Sequence, residues 1–249
     1  MKKIVCLTLA LLVMFCFMSG CKKDETLPDV YTATVSYTTE TENAYMDNDT
    51  VIATATYSIP TVIISANEGV AEKINGQLSQ IVADIKANGQ QALSYAQDDY
   101  SWTEDLTYWQ NHSFEYSFET KRTEKILSLK GAQYTFTGGA HPFLYYEGYS
   151  FSLETGERLA LSDIMSDYAG FAAYATNKMT TQMAANEYAD SFYEGYEQIL
   201  AELLSGDTFY LDSEKLVIIC NEEFIAPRAF GVIEFEFPYA EIDSYLGIK

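Results

Sequence analysis

The chain has 249 residues, 36 of them Asp or Glu against 15 Lys or Arg, for a formal net charge of −21. With 20 Tyr, 14 Phe and 2 Trp, and 48% hydrophobic residues overall, it carries too many core-forming side chains for intrinsic disorder. The length suffices for one large domain or two small ones. The acidic balance excludes nucleic acid as a partner, because that affinity comes from Lys and Arg displacing condensed counterions. The same field attracts cationic proteins at low salt, although acidity also serves solubility alone.

Met1-Lys2-Lys3 precedes an apolar run from Ile4 to Met18 and then Ser19-Gly20-Cys21. Such a run is short for a bilayer span, which needs about 20 residues, so residues 1–20 read as a cleavable export signal. The ending resembles the lipobox of bacterial lipoproteins, whose cysteine is acylated and becomes the first residue. Cys21 is therefore the expected lipid anchor, and two acyl chains supply stable membrane attachment. Removing Lys2 and Lys3 with the signal takes the charge to −23. Lys22, not Asp, follows the cysteine, so no inner-membrane retention signal is expected, and a cell with two membranes would carry the protein on the outer one or at its surface. Cys6 and Cys16 leave with the signal and Cys21 is acylated, so Cys220 has no partner for an intrachain disulfide.

Residues 21–30 read as a tether. Tyr31 to Thr39, rich in Thr, Tyr and Val, favours strand, and Asp47-Asn48-Asp49 marks a turn. Val51–Ser58 and Thr61–Ser65 follow as strand, with Pro60 confined to an edge or bulge. Asn67 is placed to cap a helix in which Val70, Ile74, Leu78, Ile81, Val82 and Ile85 recur at helical spacing, running to about Tyr95. Trp102–Trp109 reads as loop. Three strands in succession, Ser113–Glu119, Ile126–Leu129 and Ala132–Thr137, suggest a meander stopped by Gly138-Gly139. Tyr145–Leu153 is a further strand, turned at Thr155-Gly156 and resumed over Arg158–Leu161. Ser162 or Asp163 can cap a short helix, and Tyr168–Met183 and Glu187–Leu204 read as longer ones, with Gly206 a stop. Thr208–Leu211 and Leu216–Cys220 form a hairpin, Val232–Pro238 a strand, and Tyr239–Leu246 a closing helical turn. Strands grouped around helices without a regular βαβ rhythm indicate an α+β fold of mainly antiparallel mixed sheets.

Tyr134-Thr-Phe-Thr-Gly138-Gly139-Ala140-His141-Pro142, the stretch Tyr149 to Ile164, Phe209-Tyr210-Leu211 and Ile225 to Gly231, in this order, resemble the paired extracytoplasmic domains of RsiV-type anti-sigma factors. The same pair precedes the catalytic domain of PdaC-type peptidoglycan deacetylases and occurs in many uncharacterised lipoproteins. The resemblance runs from about Tyr31 to Leu246, and the Gly-Gly-Ala-His segment is its most specific piece. It implies two intimately associated α+β subdomains, residues 31–146 and 147–249, and a ligand-binding role, since in the RsiV-type proteins this region is a lysozyme receptor. The sigma-binding segment and the spanning helix are missing here. So is the Asp with paired histidines of the deacetylases: His112 and His141 are the only histidines and stand 29 apart.

Residues Gly138, Gly139, Ala140, His141 and Pro142 are the candidate binding loop, because glycines permit positive φ and close backbone approach. A tight structural turn, its imidazole bonded to a neighbouring strand, accounts for them equally and is the preferred reading. Asp47-Asn48-Asp49 lacks the Gly and Glu of a calcium loop, whose places fall on Ile52 and Ser58. No Gly-x-Ser-x-Gly elbow occurs, Cys220 lies in an apolar strand-like run, and no metal, cofactor or catalytic set is expected. Tyrosines at 145, 146, 149, 168, 174, 188, 193 and 196 could form a hot-spot surface or a sugar platform, though most are expected in core and sheet faces. The expectation is a non-catalytic envelope lipoprotein that binds an extracellular macromolecule, a lysozyme-like cationic hydrolase first, with a peptidoglycan- or glycan-binding accessory module as the alternative.

Overall fold

The computed structural model describes residues 32–46, 49–206 and 208–247. The signal, Cys21 and its tether lie outside the described residues, as do Asp47 and Asn48. The first unit comprises β1 (Thr34–Met46), β2 (Thr50–Ile63), α1 (Glu68–Trp102), β3 (His112–Glu124), β4 (Ile126–Phe136) and β5 (Phe143–Ser152). Its five strands lie in the order β1-β2-β3-β4-β5. All neighbours are antiparallel except β2 and β3, which run parallel from Ala53↔His112 to Tyr57↔Tyr116. A parallel pair needs a long crossover, and α1 supplies it.

Asn67 accepts the Val70 amide at 3.2 Å and so caps α1 as its sequence position suggests. Two turns later the Asn75 amide bonds both the N–H and the C=O of Val62 at 2.8 Å, so the helix grips the end of β2 as a neighbouring strand would. The helix buries Val70, Ile74, Leu78, Val82 and Ile85 on Ala55, Tyr57, Phe114, Tyr116, Phe118, Leu127, Leu129, Tyr149 and Phe151, all from one face of the sheet. Each fully buried Leu or Ile contributes about 1.5–3 kcal/mol, which is what holds the 35-residue helix on the sheet. A Cβ on Gly89 would overlap the Tyr57 ring, so the glycine in mid-helix serves close packing.

The second unit comprises α2 (Leu161–Ile164), α3 (Tyr168–Ala184), α4 (Tyr196–Leu203), β6 (Phe209–Leu211), β7 (Lys215–Cys220), β8 (Ile233–Pro238) and α5 (Tyr239–Ile242), with an antiparallel sheet β6-β7-β8. One face of that sheet packs Phe209, Leu211, Leu216, Ile218, Phe235 and Phe237 against Phe171, Ala175, Met179 and Leu200 of α3 and α4. Its other face, Tyr210, Val217 and Ile219, meets Tyr146 of the first sheet. Gly148 of β5 touches the Phe209 backbone so closely that a Cβ would overlap it. The Leu211 amide donates to Ser128 Oγ at 2.9 Å, and Asn221 bonds Tyr146 through both N (2.7 Å) and O (2.9 Å). Lys130 reaches Glu234 at 2.5 Å and lies 4.0 Å from the Tyr146 ring centroid. Among the described residues the fold is α+β, a five-stranded mixed sheet and a three-stranded antiparallel sheet with five helices. The division expected at 146/147 falls inside β5.

Several elements differ from the sequence reading. The β2-α1-β3 crossover is a βαβ unit that the expected rhythm lacks. The helix passes Tyr95 to end at Trp102, because Leu93, Ala96 and Tyr100 pack against Ala44, Ile52, Ala53 and Trp109. The three expected strands between Ser113 and Thr137 are two. Gly131 does not interrupt β4; it makes room for the Tyr116 hydroxyl, which a Cβ there would strike. Within Arg158–Leu161 only Arg158 pairs, bridging Phe151, and Leu161 already belongs to α2, where the Asp163 carboxylate accepts the Ala160 amide at 2.8 Å. Glu187–Leu204 is not one helix. Tyr188, Phe192 and Tyr196 have helical spacing because all serve one aromatic cluster, with Tyr188 and Phe192 against Phe230, while Gly195 at φ 79° breaks the path before α4. Pro60 pairs with Tyr37 where β2 has already parted from β3.

Candidate functional site

The β1–β2 turn, the C-terminal end of α1, the 103–111 segment and the β4–β5 loop converge at one end of the first sheet. Gln97 donates to the Tyr45 carbonyl at 3.3 Å and Asn111 to the Val51 carbonyl at 3.1 Å, tying helix and segment to the β1–β2 turn. The Asp105 carboxylate accepts the Thr107 amide at 2.9 Å and starts a 3-10 turn, Leu106–Tyr108. Hydrogen bonds from the Thr107 hydroxyl and amide hold the Asp105 carboxyl below its usual range. These constraints present large side chains outward: Trp102 is 83% exposed, Tyr108 84%, Tyr95 61% and Tyr45 50%, with Leu106 exposed beside them. Asp98, Asp99, Glu104 and Asp105 are interspersed, and no Lys or Arg occurs between Lys86 and Lys121.

Beneath this tip, Trp109 stacks on His112 with ring centroids 4.9 Å apart and meets Tyr100 edge-on at 5.0 Å. His112 Nε2 lies 3.4 Å from Asp99 Oδ2. Burial lowers the His112 pKa, and the Asp99 charge opposes that shift only in part. The Nδ1 atom of His112 and Nε1 of Trp109 are buried without a hydrogen-bond partner among the described residues. Such orphaned polar atoms are uncommon in buried structure; Tyr57 Oη and Arg228 Nε are the other two among the described residues.

The candidate loop, Gly138, Gly139, Ala140, His141 and Pro142, joins β4 to β5 at the edge of this tip. Gly138 adopts φ 77°, and a Cβ there would approach His112 Nε2 to 3.5 Å and the Gln110 carbonyl to 3.7 Å. Gly139, Ala140 and His141 are exposed, and the His141 imidazole makes no hydrogen bond to a neighbouring strand among the described residues. The structure thus brings the loop next to His112 and to the 103–111 segment, which sequence reasoning left without a role. The signal that could have found them was the cation-free stretch between Lys86 and Lys121 with its two tryptophans.

The other residues singled out go elsewhere. Tyr149 is buried with Tyr116 around Glu147, whose Oε2 lies 2.9 Å from both hydroxyls, and burial raises both phenol pKa values. Tyr146 contacts Lys130, Tyr145 packs near Phe143 and Phe224, and Tyr168 donates to the Leu204 carbonyl at 3.0 Å. Tyr174 bonds Glu241 at 3.1 Å, while Tyr188 and Tyr193 are exposed. Cys220 is buried and its thiol pKa is pushed up to about 12 by desolvation, so it is no nucleophile. Among the described residues no three His, Cys, Asp or Glu side chains lie close enough to hold a metal ion, and no helix is long and apolar enough to cross a membrane.

Residues 46–144 match the family model described as deacetylase PdaC. The matched stretch runs from the last residue of β1 into β5 and so contains most of the tip. No curated protein matches the chain. Two solved structures share the fold. A DUF3298-family member from Bacteroides fragilis NCTC 9343 superposes with a TM-score of 0.63 at 17% identity, over 88% of this chain and 95% of that one. A DUF3298-family protein from Pseudomonas aeruginosa PAO1 gives 0.50 at 13% identity, over 87% and 94%. The chain therefore combines a PdaC-like region with a fold similar to that of DUF3298 proteins.

Proposed function

We propose that this protein is a non-catalytic lipoprotein of the bacterial envelope, anchored through Cys21, whose extracytoplasmic domain captures a cationic macromolecule at the aromatic tip. A lysozyme-like hydrolase is the first candidate partner, in line with the RsiV-type resemblance. The observation that carries the reading is the exposure of Trp102 and Tyr108 among four carboxylates in a stretch with no Lys or Arg. Exposed Trp and Tyr are what binding hot spots are made of, and leaving them in water is otherwise unfavourable. The acids around them steer a cationic partner and fix its orientation. The −23 charge of the exported chain adds a long-range field that salt screens over about 10 Å at 0.1 M. Anchored on the outer membrane or cell surface, the domain acts as a receptor, decoy or inhibitor of cell-wall hydrolases.

Calorimetry of the full chain in detergent micelles with a lysozyme, at low and at physiological salt, tests this. Saturable one-to-one binding that weakens with salt is expected, along with at least a tenfold loss of affinity in the double variant Trp102→Ala/Tyr108→Ala at unchanged melting temperature. Flat traces at both salts, or a double variant that binds as well as the parent, would sink it.

A further inference from the structure

The second unit covers only part of the face of the first sheet opposite α1: stretches of β4 and β5, and the end of β3, where Lys121 lies over the Tyr210 ring and Arg122 donates to the Tyr239 hydroxyl at 3.1 Å. The rest forms a groove of about 270 Å³. A register row, Thr41↔Thr56, Thr56↔Glu115, Glu115↔Tyr134 and Tyr134↔Leu144, crosses all five strands here, so these side chains share one face. The adjacent row pairs Thr39 with Ser58 on one side and Ser117 with Ala132 and Tyr146 on the other. Small hydroxyl side chains form the floor, with Tyr134 and Tyr146 on the side towards the second unit.

The hydroxyls of Thr39, Thr56, Ser58, Ser117 and Tyr134 and the carboxylate of Glu115 make no side-chain hydrogen bond to one another or to the rest of the described protein. Elsewhere on the same face such groups are consumed: Ser128 bonds Ser150 and the Leu211 amide, and Thr54 bonds Asn43. Thr56, Ser58 and Tyr134 are half-buried and Thr39, Glu115 and Ser117 are exposed beside them, and this array of hydroxyls that both donate and accept, with one carboxylate acceptor, matches an uncharged polyhydroxylated ligand. Its hydroxyls can reproduce the hydrogen bonds of the waters they displace, so polar desolvation costs little. An anion is disfavoured by Glu115, and an apolar ligand would leave the hydroxyls unpaired. The rings of Tyr134 and Tyr146 offer apolar surface with a polar tip, suited to the CH faces of a sugar.

We infer that this groove binds an oligosaccharide chain across the strands, with Thr56, Glu115 and Tyr134 at its centre. The inference does not rest on the aromatic tip, which is built from α1, the 103–111 segment and the loops at the strand ends and not from this face of the sheet. Calorimetry of the full chain in micelles with cellotetraose and with its N-acetylated counterpart, chitotetraose, tests it, alongside the variants Thr56→Val, Tyr134→Ala and Trp102→Ala/Tyr108→Ala. The expected result is saturable binding of at least one tetraose that weakens tenfold or more in both groove variants and is unchanged in the tip variant. Thr56→Val keeps the strand-forming shape and removes only the hydroxyl, so it carries the test if Tyr134→Ala fails to fold. No heat with either sugar overturns the inference, as does binding that Thr56→Val leaves intact or that the tip variant abolishes.

Discussion

Gly148→Ala puts the packing between the two sheets to a direct test. A methyl on Gly148 would coincide with the Phe209 carbonyl, and the obstruction is backbone on both sides, with no side chain that could swing away. To restore a van der Waals separation of about 3.5 Å, β6 must retreat from β5 by about 2 Å. Overpacking of this kind costs about 1–3 kcal/mol, and the upper end applies because only the backbone can yield. The retreat also stretches the Leu211 amide to Ser128 hydrogen bond and the two Asn221–Tyr146 bonds, each contributing about 1 kcal/mol. The total is about 6 kcal/mol, comparable to the whole stability of many domains, about 5–15 kcal/mol. Urea unfolding followed by circular dichroism measures it, with Gly139→Ala as control, since a Cβ there meets nothing within 4 Å. The control should unfold within about 0.5 kcal/mol of the parent. A Gly148→Ala loss below about 1.5 kcal/mol would refute the argument that the β5–β6 contact locks the units together.

Lys130→Ala removes both the Glu234 ion pair and the ring contact with Tyr146, leaving a half-buried carboxylate without its cation, and should cost about 2–4 kcal/mol in the same assay. Because burial depresses the His112 pKa below its unfolded value near 6.5, the unfolded chain takes up more protons as the medium acidifies. The stability this residue supplies is present above about pH 6.5 and is lost as pH falls through the depressed folded pKa. Wild type should therefore lose more urea resistance between pH 7.5 and 5.5 than His112→Phe, which keeps a ring against Trp109; parallel curves would count against it. Cys220, buried and with its thiol pushed up to about 12, should react with a thiol reagent only at the rate of global unfolding, and a fast native reaction at neutral pH would contradict its placement.

What was legible in the sequence is what depends on neighbours along the chain. Asn67 and the spacing of Val70, Ile74, Leu78 and Ile85 specify the start and buried face of α1, because capping and periodicity are local. The end of α1 is set by Ala96 and Tyr100 meeting Ile52 and Trp109, contacts that span about forty residues in one case and none of which shows in a helical pattern. Gly131 reads as a strand breaker by propensity, yet its role is to admit the Tyr116 hydroxyl from the strand opposite. Tyr188, Phe192 and Tyr196 mislead for the opposite reason: one target, Phe230 with its surroundings, imposes helical spacing without a helix. The Gly138–Pro142 loop was visible because glycine pairs are rare signals. Its neighbours Trp102, Tyr108 and His112 were not, since exposure and stacking are properties of the assembled tip.

The parallel β2–β3 pair explains why the first unit has surface left over for ligands. Parallel neighbours force the chain across the sheet, so α1 must lie on one face and bury that face's aromatic rows. The other face is then free to carry Thr, Ser and Glu, and the second unit claims only the part around Gly148 and Ser128, where a backbone can approach, and the end of β3 at Lys121 and Arg122. An all-antiparallel arrangement of the same five strands could be joined by short turns, and neither the helix end that displays Trp102 nor the 103–111 segment that returns the chain to β3 would be required. The tip and the groove are thus both consequences of one crossover. Shortening α1 by deleting the two turns from Ala96 to Trp102 should remove the tip's binding surface while leaving the register row from Thr41 to Leu144 in place, a separation that cationic-protein and oligosaccharide binding to the same variant would reveal.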